Sequence, residues 1–386
     1  MNLAAAQSID DLRQLAKRRL PKILFELIES GVEEERSLER NRAAFRRYTF
    51  LPRYLGDISQ RDQSVTLFGR RYSHPFGIGP TGFGGLMRKQ GDLHLASAAA
   101  AADIPIILSG ASIAPIERVK AVAPGHLWAH LYPARDANIT DRILERYAKA
   151  GVEVLVVTVD NPVFPKRERD NRNGFVLPLK MPPAILAEAL LHPAWLAEYF
   201  GGGGMPMLES WREYAPAGAN AQEVATFFRS QSPSTQTWST LAAMRRRWRG
   251  KFVLKGIQHP DDARRALDHG MDGIIVSNHG GKSFDALPSP LATLPAVREA
   301  IGDRVPVMFD SGIRRGWEIL VALTLGACFS FVGRATLYGV AAGGRAGADK
   351  AIAILGNEID MSLAMIGAFS VTALDGSYLL KQEMPE

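Results

Sequence analysis

Eight short apolar runs recur along the chain, each followed by a stretch of helical patterning. The runs are Phe76–Gly79, Ile104–Leu108, Leu127–Leu131, Val154–Val159, Phe252–Leu254, Gly273–Val276, Val305–Phe309 and Phe329–Val332. They do not alternate polar with apolar, as a strand with one wet face would. The helical stretches are Asp92–Ala102, Ile116–Ala123, Ile139–Ala150, Trp238–Trp248, Asp261–His269, Leu291–Ala300 and Trp317–Leu325, with a last helix over about 348–366. Strands buried on both faces need a parallel sheet covered by helices. Eight such units predict an α/β fold, the (β/α)8 barrel, and 386 residues suit one barrel with additions. We expect one domain over 1–386: N-terminal helices in 8–50, a barrel over 75–366, and a long insertion, 171–237, after the fourth strand.

The N-terminal segment reads as three helices: Ile9–Ala16, Ile23–Ile28 with Pro21 at its start, and Glu33–Phe45. The insertion carries Pro182-Pro183 and Gly201 to Gly204. Between them Ile185 to Phe200 is apolar, with Trp195, Tyr199 and Phe200. Two readings of it stand level: a lid or subunit contact, and an interfacial membrane anchor through 181–207.

Bulk properties exclude several classes. Cys328 is the only cysteine and lies in an apolar run, which predicts a buried small hydrophobe, no internal disulfide and a reducing compartment, the cytoplasm. Met1 to Asp10 has no apolar core of a signal peptide, and no run of about 18 apolar residues predicts a spanning helix. The net charge is +6, but the one basic cluster, Arg245-Arg246-Arg247 with Arg249 and Lys251, has no nucleic-acid module around it. We read it as a solvated helix end and expect no nucleic-acid partner. No metal site is expected.

In a barrel, chemistry sits where the strands end. Every end here is polar or glycine: Thr81-Gly82, Ser109-Gly110, His130 and Tyr132, Thr158 and Asp160, Lys255-Gly256, Ser277 and His279, Asp310, Gly333-Arg334. His279 stands in Ser277-Asn278-His279-Gly280-Gly281-Lys282, where a histidine can accept a proton and the glycines let a bulky group come close. Loops after the seventh and eighth strands often hold a phosphate. Asp310-Ser311-Gly312-Ile313-Arg314 and Gly333-Arg334 offer backbone N–H groups and two guanidinium groups for one. No GxGxxG opens a strand–turn–helix, so a mononucleotide fits better than a nicotinamide dinucleotide. Lys255 would then set a cation beside a flavin, with Thr158, Ser109 and Thr81 on its polar rim.

The runs SNHGGKSFD, DSGIRRGWEILVALTLGA and FVGRATLYG resemble the FMN-dependent 2-hydroxy acid oxidoreductases, the family of glycolate oxidase and of lactate and mandelate dehydrogenases. LPKILFELIESGVEEE, GPTGFGG, LSGAS, TVDNPVFPKRERDNRNGF and WSTLAAMRRRWRGKFVLKG extend the resemblance over nearly the whole chain. The insertion, LHPAWLAEYFGGGGMPM, is similar to that of membrane-associated mandelate and lactate dehydrogenases. The resemblance implies FMN and gives residues roles. His279 is the base, Asp160 holds its imidazolium, and Tyr132 bonds the substrate oxygen. Arg167 holds the anion. FMN lies over Thr81 and Gly82, with Ser109, Thr158, Lys255 and Ser277 around the ring and Asp310, Ser311, Gly312, Arg314, Gly333 and Arg334 toward the phosphate. It also implies a homo-oligomer, a tetramer.

Three positions depart from the family pattern. Leu27, in Phe25-Glu26-Leu27, stands where a tyrosine usually binds the substrate carboxylate. His130 stands where a glutamine usually touches the flavin. Lys282 stands where an arginine usually pairs with the carboxylate, and it lacks the planar fork. With the base and cofactor residues intact, we expect an active flavoenzyme with an altered substrate: a mandelate-like or larger 2-hydroxy acid, or a close analogue, oxidised to the 2-oxo product. Gly82, alanine in many oxidases, and the insertion favour a quinone or other carrier as acceptor. An oxygen-using oxidase in a biosynthetic pathway and a flavin-binding protein without catalysis are the alternatives. A phosphate-sugar barrel without flavin is a weaker one.

Overall fold

The structure is a computed structural model and describes residues 2–382. It opens with α1 (Ile9–Arg19), α2 (Lys22–Glu29) and α3 (Arg36–Phe45), then three short strands, β1 (Tyr48–Phe50), β2 (Val65–Leu67) and β3 (Arg70–Tyr72). The Ser8 hydroxyl caps α1 in a capping box with Asp11, and Lys17, Arg18 and Arg19 face the negative end of its dipole. β2 and β3 form a hairpin, while β1 pairs with a strand from the far end of the chain.

The barrel follows: β4 (Phe76–Ile78), α4 (Gly84–Met87), α5 (Gly91–Ala101), β5 (Ile106–Leu108), α6 (Ile116–Val122), β6 (Leu127–Leu131), α7 (Ala137–Lys149) and β7 (Val154–Thr158). The insertion holds α8 (Glu168–Arg172), α9 (Pro183–Ala189), α10 (Pro193–Gly201) and α11 (Ala221–Gln231). Then come α12 (Trp238–Arg247), β8 (Lys251–Lys255), α13 (Pro260–Asp268), β9 (Gly273–Val276), α14 (Pro290–Ile301), β10 (Val307–Phe309), α15 (Gly316–Thr324), β11 (Phe329–Val332) and α16 (Arg334–Ile366). β12 (Leu379–Lys381) closes back on β1.

Each barrel strand pairs in parallel with the next in sequence, and β11 returns to β4, so the sheet closes with no edge. β4, β5, β6, β7, β9, β10 and β11 are buried at every residue, which is why their sequences do not alternate. All eight expected strands are present. Two begin later than the apolar runs: β5 starts after Pro105 and β10 after Pro306. Proline has no N–H to give a ladder, though its carbonyl still accepts from the neighbouring strand, at 2.9 Å for Pro105 and 3.1 Å for Pro306.

The last helix is a correction. It begins at Arg334, directly after β11, not near residue 348. It is broken at Gly343 and Gly344, whose φ values of −145° and +59° are not helical. The glycine-rich run from Gly339 to Gly347 hides a helix from propensity alone, because glycine is a weak helix former.

The insertion also differs in part from the expected apolar surface. Within Ile185 to Phe200, Trp195 is turned inward, its Nε1 donating to the Leu86 carbonyl at 2.8 Å. Ala189 is buried as well. Leu190, Leu191 and Phe200 remain outside, at 63%, 76% and 56% exposure. No helix of the described residues is long and apolar enough to cross a membrane.

The N-terminal segment lies over the C-terminal mouth of the barrel. Asp285 accepts from the Ser37 N–H at 2.7 Å, and Arg42 reaches the Gly312 carbonyl and Glu318 from α3. Arg334 donates to the carbonyls of Ile28, Ser30 and Gly280, at 2.7, 2.8 and 2.8 Å. These bonds roof the end of the barrel where the polar strand ends collect.

Candidate active site

β9 ends in a turn of unusual backbone. His279, Gly280 and Gly281 have φ of +61°, +67° and +77° in succession. A histidine there costs about 1–3 kcal/mol unless its surroundings hold it. Asn278 does so from beneath. Its amide, fully buried, exchanges bonds of 2.7 and 2.8 Å with Asn41 on α3 and accepts from the Gly281 N–H at 3.1 Å. The turn thereby brings the His279 ring against the residues just past β6 and β7.

That ring meets three neighbours. Nδ1 lies 2.9 Å from Asp160 Oδ1, just past β7, and 3.2 Å from the amide of Asn161. Nε2 lies 3.1 Å from the Tyr132 hydroxyl, just past β6. A carboxylate at Nδ1 fixes the tautomer with hydrogen on that nitrogen. Nε2 then carries the lone pair, which accepts from the Tyr132 hydroxyl here and is the place where a proton can be taken. Burial pushes the His279 pKa down, with Asp160 opposing in part, so the imidazole is neutral and ready to act as a base. Burial would raise the Asp160 pKa, but His279 and Lys255 outweigh it and the carboxyl is held below its ordinary value. Gly256, at φ +104°, leaves room for this pair: a Cβ there would stand 2.6 Å from the Asp160 Cβ.

A second charged group sits beside the first. Lys255, at the end of β8 and almost wholly buried, bonds Ser277 Oγ at 2.8 Å and pairs with Asp310 at 3.0 Å. Ser311 Oγ donates to Asp310 and accepts from the Gly280 N–H, at 2.9 and 3.0 Å. The ends of β8, β9 and β10 are thus tied into one network.

Above them opens a cavity of about 490 Å3, within the range of small-molecule sites. Of the residues expected from sequence, Leu27, Thr81, Gly82, Ser109, Tyr132, Arg167, Lys255, His279 and Lys282 line it. So do Asp310, Ser311, Gly312, Arg314, Gly333 and Arg334. Asp160, Thr158, Ser277 and His130 stand behind the wall. His130 is fully buried, with Nε2 2.7 Å from Thr158 Oγ1 and Nδ1 accepting from the Gly110 N–H at 3.1 Å. Burial drives its pKa well down, so it is a neutral strut of the barrel interior. Lys282 Nζ is tied to the Leu27 carbonyl and Ser30 Oγ, at 2.8 and 3.1 Å.

Sequence reasoning missed several lining residues. Phe164, Phe175, Leu177, Phe228 and Arg229 come from the segment between β7 and β8, Phe83 from the loop after β4 and Met87 from the end of α4. Asn161 and Asp170 were missed as well; both Asp170 carboxylate oxygens are buried without a hydrogen-bond partner. A long insertion predicts that something covers the mouth, but no local pattern says which of its side chains turn inward.

Residues 16–381 match the family model described as FMN-dependent dehydrogenase. The chain belongs to this family. It is 37% identical over 372 residues to (S)-mandelate dehydrogenase of Pseudomonas putida, covering 96% of this chain and 93% of that one. It is 39% identical over 376 residues to a putative L-lactate dehydrogenase of Mycobacterium tuberculosis, covering 97% and 88%. Among solved structures, that of the monotopic membrane protein (S)-mandelate dehydrogenase superposes with a TM-score of 0.94 at 36% identity, covering 98% of this chain and all of that one.

The residues present fit FMN. Gly82 keeps the wall flat, since a Cβ there would stand 3.2 Å from Ala111 Cβ and 3.6 Å from Ser109 Oγ. Lys255 supplies a buried cation, and Arg314 and Arg334 stand at the end formed after β10 and β11.

Proposed function

We propose that this protein oxidises a 2-hydroxy acid with an aromatic or long aliphatic side chain to the 2-oxo acid, and passes the electrons to a quinone or other carrier. The observation that carries this reading is the His279–Asp160–Tyr132 cluster facing a cavity walled by Leu27, Phe83, Met87, Phe164, Phe175 and Phe228. The reaction removes two electrons and two protons from the carbinol. His279 takes one proton at Nε2, and the imidazolium that results is stabilised by the Asp160 carboxylate. The Tyr132 hydroxyl, whose pKa burial raises, stays protonated and can donate to the substrate oxygen. Arg167 has a buried Nε without a partner and offers it to the substrate carboxylate. FMN, when bound, would take up the two electrons together with the second proton. Thr81, Gly82 and Ser109 would hold its ring beside Lys255, with Arg314, Gly333 and Arg334 toward the phosphate. An anaerobic screen of 2-hydroxy acids, read by bleaching of the bound flavin, tests the reading. A flavin that no 2-hydroxy acid bleaches would sink it.

The cavity wall supports the choice of side chain. Leu27 has no hydrogen bond to give, and Lys282 already serves the Leu27 carbonyl and Ser30. Glycolate and lactate have little apolar surface to recover that loss, whereas a phenyl group gains roughly 25 cal/mol per Å2 buried. We expect (S)-mandelate to reduce the flavin faster than lactate or glycolate. Leu27→Tyr combined with Lys282→Arg is expected to narrow that gap about tenfold. Equal turnover of glycolate and mandelate by the unaltered protein would count against the apolar pocket.

Membrane contact through the α9–α10 hairpin is the second part of the proposal. Leu190, Leu191 and Phe200 are each exposed on the insertion, and the mandelate dehydrogenase of similar structure is a monotopic membrane protein. Each such side chain gains about 1.5–3 kcal/mol on full burial. The protein should co-float with anionic liposomes, and a variant carrying Leu190→Ser, Leu191→Ser and Phe200→Ser should stay behind with its FMN intact. Flotation of that triple variant like the parent would refute the contact.

A further inference from the structure

Half of the buried polar side-chain atoms without a partner among the described residues lie in one short segment after β7, residues 160–170. They are Asp160 Oδ2, Asn161 Oδ1, Arg167 Nε and both carboxylate oxygens of Asp170. Asn161 also lines the cavity and is the one of these four residues whose amide touches the catalytic cluster. Its Nδ2 sits 3.2 Å from His279 Nδ1, yet that nitrogen already gives its hydrogen to Asp160. Two donors therefore face each other, while the acceptor Oδ1 faces nothing. A half-turn of the amide about Cβ–Cγ removes the clash of donors, because amide O and N are nearly the same shape. Oδ1 then accepts a share of the Nδ1 hydrogen, and the NH2 group turns to where no partner was.

We propose that Asn161 is a positioning residue for the base, its amide oxygen sharing the Nδ1 hydrogen of His279 with Asp160. An imidazolium has two donors, and only one is spent on the proton just taken. The other, at Nδ1, then has two acceptors in place of one, and the ring cannot rotate without losing both. A neutral amide beside the carboxylate adds this hold without a second negative charge. The proposal rests on His279 being the base, as argued above, for its catalytic meaning; the hydrogen bond stands on geometry alone.

The groups facing His279 are Asp160 past β7, Tyr132 and His130 from β6, Lys255 from β8 and Arg167 from the loop before α8. Lys255 and Arg167 disfavour the imidazolium and Asp160 favours it. None of them changes in the variants that follow, so a shift reports Asn161.

The test is the titration of His279 in the FMN-bound protein, followed by NMR of 15N-labelled histidine, with His279→Gln identifying the resonance. Asn161→Val removes the acceptor and should lower the His279 midpoint by on the order of one pH unit. Asn161→Asp should raise it. Asn161→Thr, whose hydroxyl can still accept, should stay near the parent. In flavin reduction by the best 2-hydroxy acid, Asn161→Val should show a plateau about 3- to 10-fold slower, as a weaker base gives. Its acid limb should move to lower pH at the same time, an opposed pair of changes that loss of packing does not produce. An unchanged His279 midpoint in Asn161→Val overturns the proposal. If that variant does not fold, an unchanged midpoint in Asn161→Asp does so. A parent protein that no hydroxy acid reduces would remove the function proposed above, and the NMR midpoints would still decide the hydrogen bond.

Discussion

His279→Ala should keep its FMN and lose most of its chemistry. We expect anaerobic flavin reduction to slow by about 10²–10⁴, the usual contribution of a positioned base. No other group near Nε2 can replace it. The Tyr132 hydroxyl at 3.1 Å is a donor whose pKa is raised by burial, and Lys255 is spent on Asp310 and Ser277. Retention of FMN follows because the His279 ring bonds Asp160, Asn161 and Tyr132 and none of the groups expected at the phosphate. His279→Gln, which keeps the bulk, should be nearly as slow. In the unaltered protein the acid limb of kcat/KM should lie below about pH 6.5, since burial holds the imidazole neutral below its ordinary range. Stopped-flow reduction across pH reads both effects. A His279→Ala protein that reduces its flavin at the parent rate would show that the base has been wrongly identified.

Lys255→Met should damage stability and chemistry together. Lys255 is buried and Asp310 largely so, 4% and 13% exposed at the side chain, and they lie 3.0 Å apart. Taking the cation away leaves a carboxylate in a low-dielectric site, a change that costs about 3–5 kcal/mol. The melting temperature should fall by several degrees, and the isolated protein should carry less FMN. The double variant Lys255→Met with Asp310→Asn separates the two effects. It removes the stranded charge, so most of the stability should return, while flavin reduction stays slow because the cation is still missing. Thermal melts and reduction rates on the four proteins of this cycle give the coupling directly. If Lys255→Met melts with the parent, the pair is not the strut that its burial indicates.

The barrel was legible in the sequence because parallel strands buried on both faces leave continuous apolar runs, and nothing else in a chain of this length repeats that way. Strand ends were legible for the same reason. A residue such as Lys255 or Asp310 at the edge of an apolar run is out of place unless the end of the strand is used. Boundaries failed where backbone chemistry differs from hydropathy, at Pro105, Pro306 and the glycines of α16. The inside of the insertion was not legible at all. Trp195 and Leu191 are close in sequence and equally apolar, yet one docks on the Leu86 carbonyl and the other meets solvent. That choice is made by distant surfaces. His130 was placed at the flavin by its position in a motif, whereas its partners, Thr158 and Gly110, belong to adjacent strand ends that only the closed barrel brings within 3.1 Å.

The roof of the barrel sets an order of assembly. Asn41 waits for Asn278, 237 residues further on, and Ile28 for Arg334, 306 further on. The partners that fix α3, Asn278 and Glu318, come into place only once β9 and β10 have joined the sheet. Contacts of such long sequence separation form late, since loop closure must come first. The docking of α3 is therefore a late step, and with it the turn that carries His279. The power to turn over substrate should appear only in the final phase of refolding, after the barrel's far-UV signal is already complete.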